Sequence, residues 1–402
     1  MAVAVEHMVD EKSSDIKNEI VEEIRALTPR IREFAGEGER ARWLPPETLD
    51  SVAATDVWRS SVPQRFGGND LALADQYEIL SELAQADGSL GWVAGLWLAN
   101  GWIAQFLPDD GQREIFNGGD VRVSGVLAPT GTMVRADGGY VVNGTWKWNT
   151  GARGSVFDAL ATRLESTDGP PEVYYVFARS SELSIADDWD SFGAVATGSS
   201  TVTAKDVFVP ARRTVKISDA LVGATGDRAN AGVGEQRNYG LVAYLSVQQV
   251  AVFTGIARGA LELFLHRLPG RSITHTPWTD QSASPVTHIQ VASAANKIAA
   301  AEALERESIQ ILQRRADAGE QPTIEEKAAL RGRSAYAIEL AREAVSILYT
   351  ASGASVIMRD VPFQRLYRDI QALSNHASVL LTSNLEVHGR VLVGLDPATP
   401  YL

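Results

Sequence analysis

Twenty-one consecutive residues, Gly88 to Pro108 (GSLGWVAGLWLANGWIAQFLP), carry no formal charge. A run of this length either crosses a bilayer or lies in a core large enough to cover it on every side. Its flanks, Asp87, Asp109 and Asp110, show no Lys/Arg bias, and it contains Asn100, Gln105 and several glycines. These features predict a buried helix. A second charge-free stretch, Gly240 to Ala257, holds Ser246, Gln248 and Gln249 and reads the same way.

A chain of 402 residues, 45% hydrophobic and 22% charged, is long enough for two or three domains with such cores. Its 37 Lys+Arg against 50 Asp+Glu give a net charge of −13. That balance repels phosphate backbones and anionic headgroups, so neither nucleic acid nor a membrane surface is an expected partner. An anionic ligand would need a few local arginines. The absence of cysteine removes disulfides, thiolate metal sites, Fe–S clusters and thiol nucleophiles together. The opening MAVAVEHMVDEKSSD lacks the pattern of a signal peptide, so the expected location is cytoplasmic.

The periodicity changes twice. Ile16, Ile20, Ile24, Leu27, Ile31 and Phe34 step by three or four, predicting an amphipathic first helix that Pro29 bends or splits. Helical pattern returns after Pro45-Pro46 and from Asp70 to about Ala86. Then VRVSGVLAP, GGYVVNGTWKW, FDALATRL, EVYYVFAR and STVTAKDVFVP read as strands. Asp137-Gly138-Gly139 and Asn143-Gly144 are the expected turns between them. A Gly/Ala-rich connector, Gly223 to Gly234, leads to four long helical stretches. Pro322 and the capping box Thr323-x-x-Glu326 introduce the third. The expected domains are helical over 1–117, a central β domain over 118–215, and a C-terminal bundle over 216–402.

Several familiar chemistries have no residues to carry them. The six histidines (7, 266, 275, 288, 376 and 388) form no HExxH and pair with no carboxylates, so no metal site is expected. GxxxxGK and GxSxG are absent. Gly36-Glu37-Gly38-Glu39-Arg40-Ala41 fits GxGxxA, but it follows a helix and sets two glutamates where bare amides are needed, so it reads as a loop. Asn143-Gly144-Thr145 matches a glycosylation acceptor and reads as a hairpin turn.

Four segments carry a resemblance. VPQRFGG (Val62 to Gly68) and Trp148-Asn149-Thr150-Gly151 resemble motifs of the acyl-CoA dehydrogenase superfamily, the second being its flavin strand. DDWDSFGAVATGSSTVTAKDVFVP (Asp187 to Pro210) is similar to the segment closing its β domain. PFQRLYRDIQALSNHA (Pro362 to Ala377) resembles its last bundle helix. The resemblance implies an acyl-CoA dehydrogenase-like fold, mainly α with a central β-barrel and a C-terminal four-helix bundle. It also implies a homotetramer with flavin at the domain junction.

Acyl-CoA dehydrogenases take the substrate α-proton with a carboxylate on the last helix or the first bundle helix. Here the one region reads Ser374-Asn375-His376-Ala377, and Tyr239 to Leu261 has no Asp or Glu. The pattern instead resembles the oxygenase components of two-component flavin-dependent monooxygenases, such as 4-hydroxyphenylacetate hydroxylase and the nitrososynthases. That resemblance implies reduced FMN or FAD from a separate NAD(P)H:flavin reductase, O2 as co-substrate, and a C4a-(hydro)peroxyflavin that hydroxylates an aromatic or polycyclic small molecule. N-oxygenation of an amine, an acyl-CoA dehydrogenase-type oxidation and a catalytically silent flavin-fold subunit are the alternatives.

Carried over residue by residue, Thr150 places a hydroxyl at flavin N5, and Trp148 packs on the isoalloxazine. Arg271 reaches a flavin phosphate. His376, with an ordinary pKa near ~6.5, exchanges a proton with substrate or adduct. Ser124 contacts substrate. Phenol-hydroxylating relatives carry H-x-W where this chain has Asn100-Gly101-Trp102, and an amide is no base. The resemblance therefore puts Asn100 and Trp102 at the substrate and points to an indole, a quinone-like polyketide or an amine. Trp92, Trp97, Trp102 and Phe106 are expected to line an apolar pocket or to be core.

Overall fold

In the computed structural model, residues 2–117, 121–165, 169, 171–222 and 237–402 are described. The connector Gly223 to Gly234 lies outside them.

Five helices come first: α1 (Ala2–Ala41), α2 (Pro46–Ala53), α3 (Leu73–Ala86), α4 (Gly88–Ala104) and α5 (Asp109–Phe116). Pro29 does not split α1. A mid-helix proline costs roughly 3 kcal/mol, and buried Ile24 and Ile31 on either side of it outweigh that cost. Gly36 to Ala41 is likewise helix rather than loop. Gly38 brings the helix against Pro45 and Trp43, and Glu39 pairs with Arg365 and Arg368. The charge-free segment forms α4, buried along nearly its whole length by the other helices and the sheet.

Seven strands follow: β1 (Val123–Ala136), β2 (Gly139–Asn149), β3 (Phe157–Leu164), β4 (Glu172–Arg179), β5 (Ser184–Ile185), β6 (Ser200–Pro210) and β7 (Thr214–Lys216). Among the described residues they form one sheet in the order β5-β6-β2-β1-β3-β4-β7, in which only the β1–β3 pairing is parallel. The sheet curls around an interior of its own, filled by Met133, Val142, Trp146, Leu160, Val176 and Val209. Gly138 makes the β1–β2 turn at φ +71. Asn143-Gly144, expected as a turn, sits within β2 at a register shift against β6. Its glycine permits close approach: a Cβ on Gly144 would lie 2.5 Å from Gly131 Cα and 2.8 Å from the Trp146 ring.

After α6 (Ile217–Val222) come α7 (Leu241–Arg267), α8 (Pro285–Asp317), α9 (Ile324–Ala351), α10 (Phe363–Leu373) and α11 (Leu381–Leu392). The capping box forms, with Glu326 N–H donating to Thr323 Oγ1 at 3.2 Å and Thr323 N–H to Glu326 Oε2 at 2.9 Å. The segment expected as the last helix stops at Leu373, and α11 follows it against α9. Ser374 to Val379 turn instead, the amides of Asn375 and His376 reaching back to Ala372 and Leu373. That turn lifts His376 off the helix.

Candidate active site

Asp87 accepts a hydrogen bond from Leu90 N–H at 2.9 Å and starts α4. Five residues advance a helix by roughly 140° beyond a full turn, so Trp92, Trp97 and Trp102 leave α4 in three directions. Trp102 stacks on Tyr244 of α7 at 4.1 Å and meets Phe106 edge-on. Trp97 packs on Trp58 and donates its indole N–H to Ser124 Oγ at 3.1 Å. Trp92 packs edge-on to Phe253 of α7 and to His376, 5.3 Å between ring centroids in the second case. Its Nε1 donates to Thr150 Oγ1 at 3.3 Å. One side chain thus joins two of the candidate residues.

Thr150 lies just past β2, where the pairing with β6 shifts register. Trp148 adopts φ +61 there and stands 72% exposed. Such a backbone conformation is costly for a bulky residue and marks a constrained segment. Buried Thr150 opens a chain of hydroxyls: its Oγ1 lies 2.8 Å from Ser199 Oγ, which lies 2.7 Å from Thr197 Oγ1. Thr197 Oγ1 donates to Ala194 O at 2.8 Å.

His376 is solvent-reachable yet has protein packed around its ring, and that surrounding lowers its pKa to about 4. This departs from the ordinary value near ~6.5 expected from the sequence. Its Nδ1 lies 2.6 Å from Ser378 Oγ, and Ser378 Oγ donates to Gln249 Oε1 at 2.8 Å. The Ser378 N–H also donates to Nδ1, at 3.3 Å.

The other candidates make their hydrogen bonds elsewhere. Ser124 is fully buried beneath Trp97. Asn100 donates to Leu96 O of its own helix at 2.9 Å, and Trp102 belongs to the aromatic core. Arg271 donates to Ser352 O at 2.9 Å and to Ser355 Oγ at 3.1 Å, in the connection after α9. No group of three potential metal ligands occurs among the described residues. Gln249, Ser378 and Asp369, whose Oδ1 accepts from Ala194 N–H at 2.7 Å, were not legible as partners of the site. The one available signal was the pair Gln248-Gln249, beside Ser246, in the charge-free stretch Gly240 to Ala257.

Residues 247–380 match the family described as acyl-CoA dehydrogenase, C-terminal domain. The pigment production hydroxylase of a Rhodococcus species is 26% identical over 96% of this chain and 99% of its own. The FADH2-dependent resorcinol hydroxylase, oxygenase component, of a Rhizobium species is 27% identical over 95% of this chain and 96% of its own. The chain is a flavin-dependent monooxygenase of the acyl-CoA dehydrogenase fold. Among solved structures the oxygenase superposes on XiaF from a Streptomyces species, in complex with FADH2 and glycerol. The TM-score is 0.90, with 25% identity over 98% of this chain and 100% of XiaF.

Proposed function

We propose that this oxygenase hydroxylates an aromatic small molecule at a site between Thr150 and His376, using reduced flavin delivered by a separate reductase. The observation that carries the reading is the Trp92 ring, which hydrogen-bonds Thr150 and packs edge-on to His376. Two further observations fit a planar, partly polar cofactor. Trp148 offers an exposed aromatic face held in a constrained backbone, and Thr150 beside it is buried yet retains hydrogen-bonding capacity. Trp148 would stack on the ring, and Thr150 would meet a ring nitrogen. Arg271, beside Arg267 on Ser355, would hold a phosphate. Reduced flavin, when bound, supplies the electrons by which O2 is activated for transfer of one oxygen atom.

The residues' own work follows from their protonation. A histidine whose conjugate acid has a pKa of about 4 stays neutral at pH 7. As a neutral imidazole, His376 would orient a substrate O–H or N–H by accepting its hydrogen bond at a ring nitrogen. An aromatic ring would pack beside Trp92, which Phe253 backs edge-on. Exposed Ile289, Tyr336, Leu385 and Leu392 on α8, α9 and α11 support a homotetramer.

The test supplies the protein with reduced FMN or FAD, O2 and a panel of phenols, indoles and aromatic amines, and measures oxygenated product against H2O2. Coupled product with a phenol or indole supports the reading. Product only from amines, oxygenated on nitrogen, or H2O2 alone with every compound, contradicts it.

A further inference from the structure

The hydroxyl chain behind Thr150 has a fixed direction. It ends on Ala194, whose backbone sits in the left-handed region at φ 53 and ψ 36, a conformation that alanine adopts only under constraint. Asp369 supplies part of that constraint from α10: its Oδ1 accepts from Ala194 N–H at 2.7 Å. Ala194 O in turn accepts from Thr197 Oγ1 at 2.8 Å, Thr197 N–H at 3.2 Å and Trp189 Nε1 at 3.2 Å. A carbonyl oxygen only accepts, so the single hydroxyl proton of Thr197 is committed to it. Ser199 must then donate to Thr197, and Thr150 must donate to Ser199. Trp92 Nε1, a donor only, occupies one lone pair of Thr150. One lone pair remains, and no proton.

We infer that Ser199 and Thr197, on an Ala194 held by Asp369, are positioning residues that set the polarity of Thr150, so that it meets the cofactor as a hydrogen-bond acceptor and selects reduced over oxidised flavin. This rests on the reading that Thr150 faces flavin N5. Reduced flavin carries N5–H, a donor that matches the free lone pair. Oxidised flavin presents a bare N5, so acceptor faces acceptor. Accommodating it requires all three hydroxyls to reverse, which strips the Thr197 hydroxyl from Ala194 O. The worth of one buried hydrogen bond corresponds to about tenfold in affinity. An oxygenase that must take up reduced flavin and release oxidised flavin gains discrimination from atoms that never touch either form.

The test measures dissociation constants of oxidised FMN and FAD, and of their anaerobically reduced forms, for the intact protein and four variants. Thr197→Val removes the anchor, and Ser199→Ala breaks the chain; either frees the Thr150 proton. Each is expected to lower the oxidised-to-reduced ratio of dissociation constants by about tenfold, read independently as a shift of about 30 mV in the bound two-electron couple. Asp369→Asn, whose side-chain carbonyl still accepts from Ala194, keeps the ratio. Thr150→Val reports on the underlying reading. If it changes the ratio while Thr197→Val and Ser199→Ala do not, the polarity inference falls and the site stands. If Thr150→Val changes neither affinity nor ratio, the placement of Thr150 at the cofactor falls, and the inference with it. Equal weakening of both flavin forms in Thr197→Val and Ser199→Ala marks a packing defect and overturns the inference.

Discussion

The indole of Trp92 donates to Thr150 Oγ1 over 3.3 Å while its ring stands edge-on to His376 at 5.3 Å. A residue from the buried α4 thereby holds in register a group from the end of β2 and a group from the turn after α10. Trp92→Phe keeps the ring and removes the N–H. It is expected to cost about 0.5–1.5 kcal/mol of stability and to raise the H2O2 released per product severalfold. The check is a product and peroxide balance beside a thermal melt. An unchanged balance would show that the bond does not hold Thr150 for chemistry.

His376 is held neutral by the protein around its ring, with its pKa lowered to about 4. The native state therefore binds fewer protons than the unfolded chain between about pH 4 and the free value near ~6.5. Its contribution to stability is present above that window and is lost as the pH falls through it. The imidazole C–H resonances of His376 are expected to stay flat from pH 8 to pH 5.5. Ser378→Ala, which removes the hydroxyl beside Nδ1, should lower kcat/KM about 3- to 10-fold, the worth of one hydrogen bond. A titration midpoint near 6.5 would contradict the assignment.

Asp369 behaves in the opposite sense. Burial, reinforced by the neighbouring Asp87 carboxylate, raises its pKa to about 7, and its Oδ2 has no hydrogen-bond partner. The folded state then holds a proton that the unfolded chain releases near ~3.9. The resulting stability is complete below about pH 4 and disappears as the pH rises to about 7. Asp369→Asn is neutral throughout, so it should melt about 2–4 °C above the parent at pH 8 and level with it at pH 4. Equal melting at both pH values would show that Asp369 does not titrate in this window.

The sequence made the architecture readable because its periodicities were strong. The charge-free run could only be covered by a large core, and the Thr323 box announced α9. What failed depended on distant partners. Nothing local says that Ile24 and Ile31 will carry α1 through Pro29, or that Gly144 is needed for close approach to Gly131 and Trp146 rather than for a turn. At the proposed site, Thr150 and His376 were candidates through the resemblance. Their supports were not, because Asp369 to Ala194 spans 175 positions and Ser378 to Gln249 spans 129. The lowered pKa of His376 was equally invisible, since it comes from residues that surround the ring in space.

The proposed site is expected to bind reduced flavin with Thr150 against it and to control what O2 becomes. This is tested most directly by mixing the protein with anaerobic reduced FMN, adding oxygenated buffer, and following oxidised-flavin absorbance and H2O2 by stopped flow. Oxidised flavin is expected to appear only after a delay absent without protein, and Thr150→Ala is expected to shorten this delay. Reoxidation as fast as that of free flavin, with stoichiometric H2O2 and no effect of the substitution, would contradict that expectation.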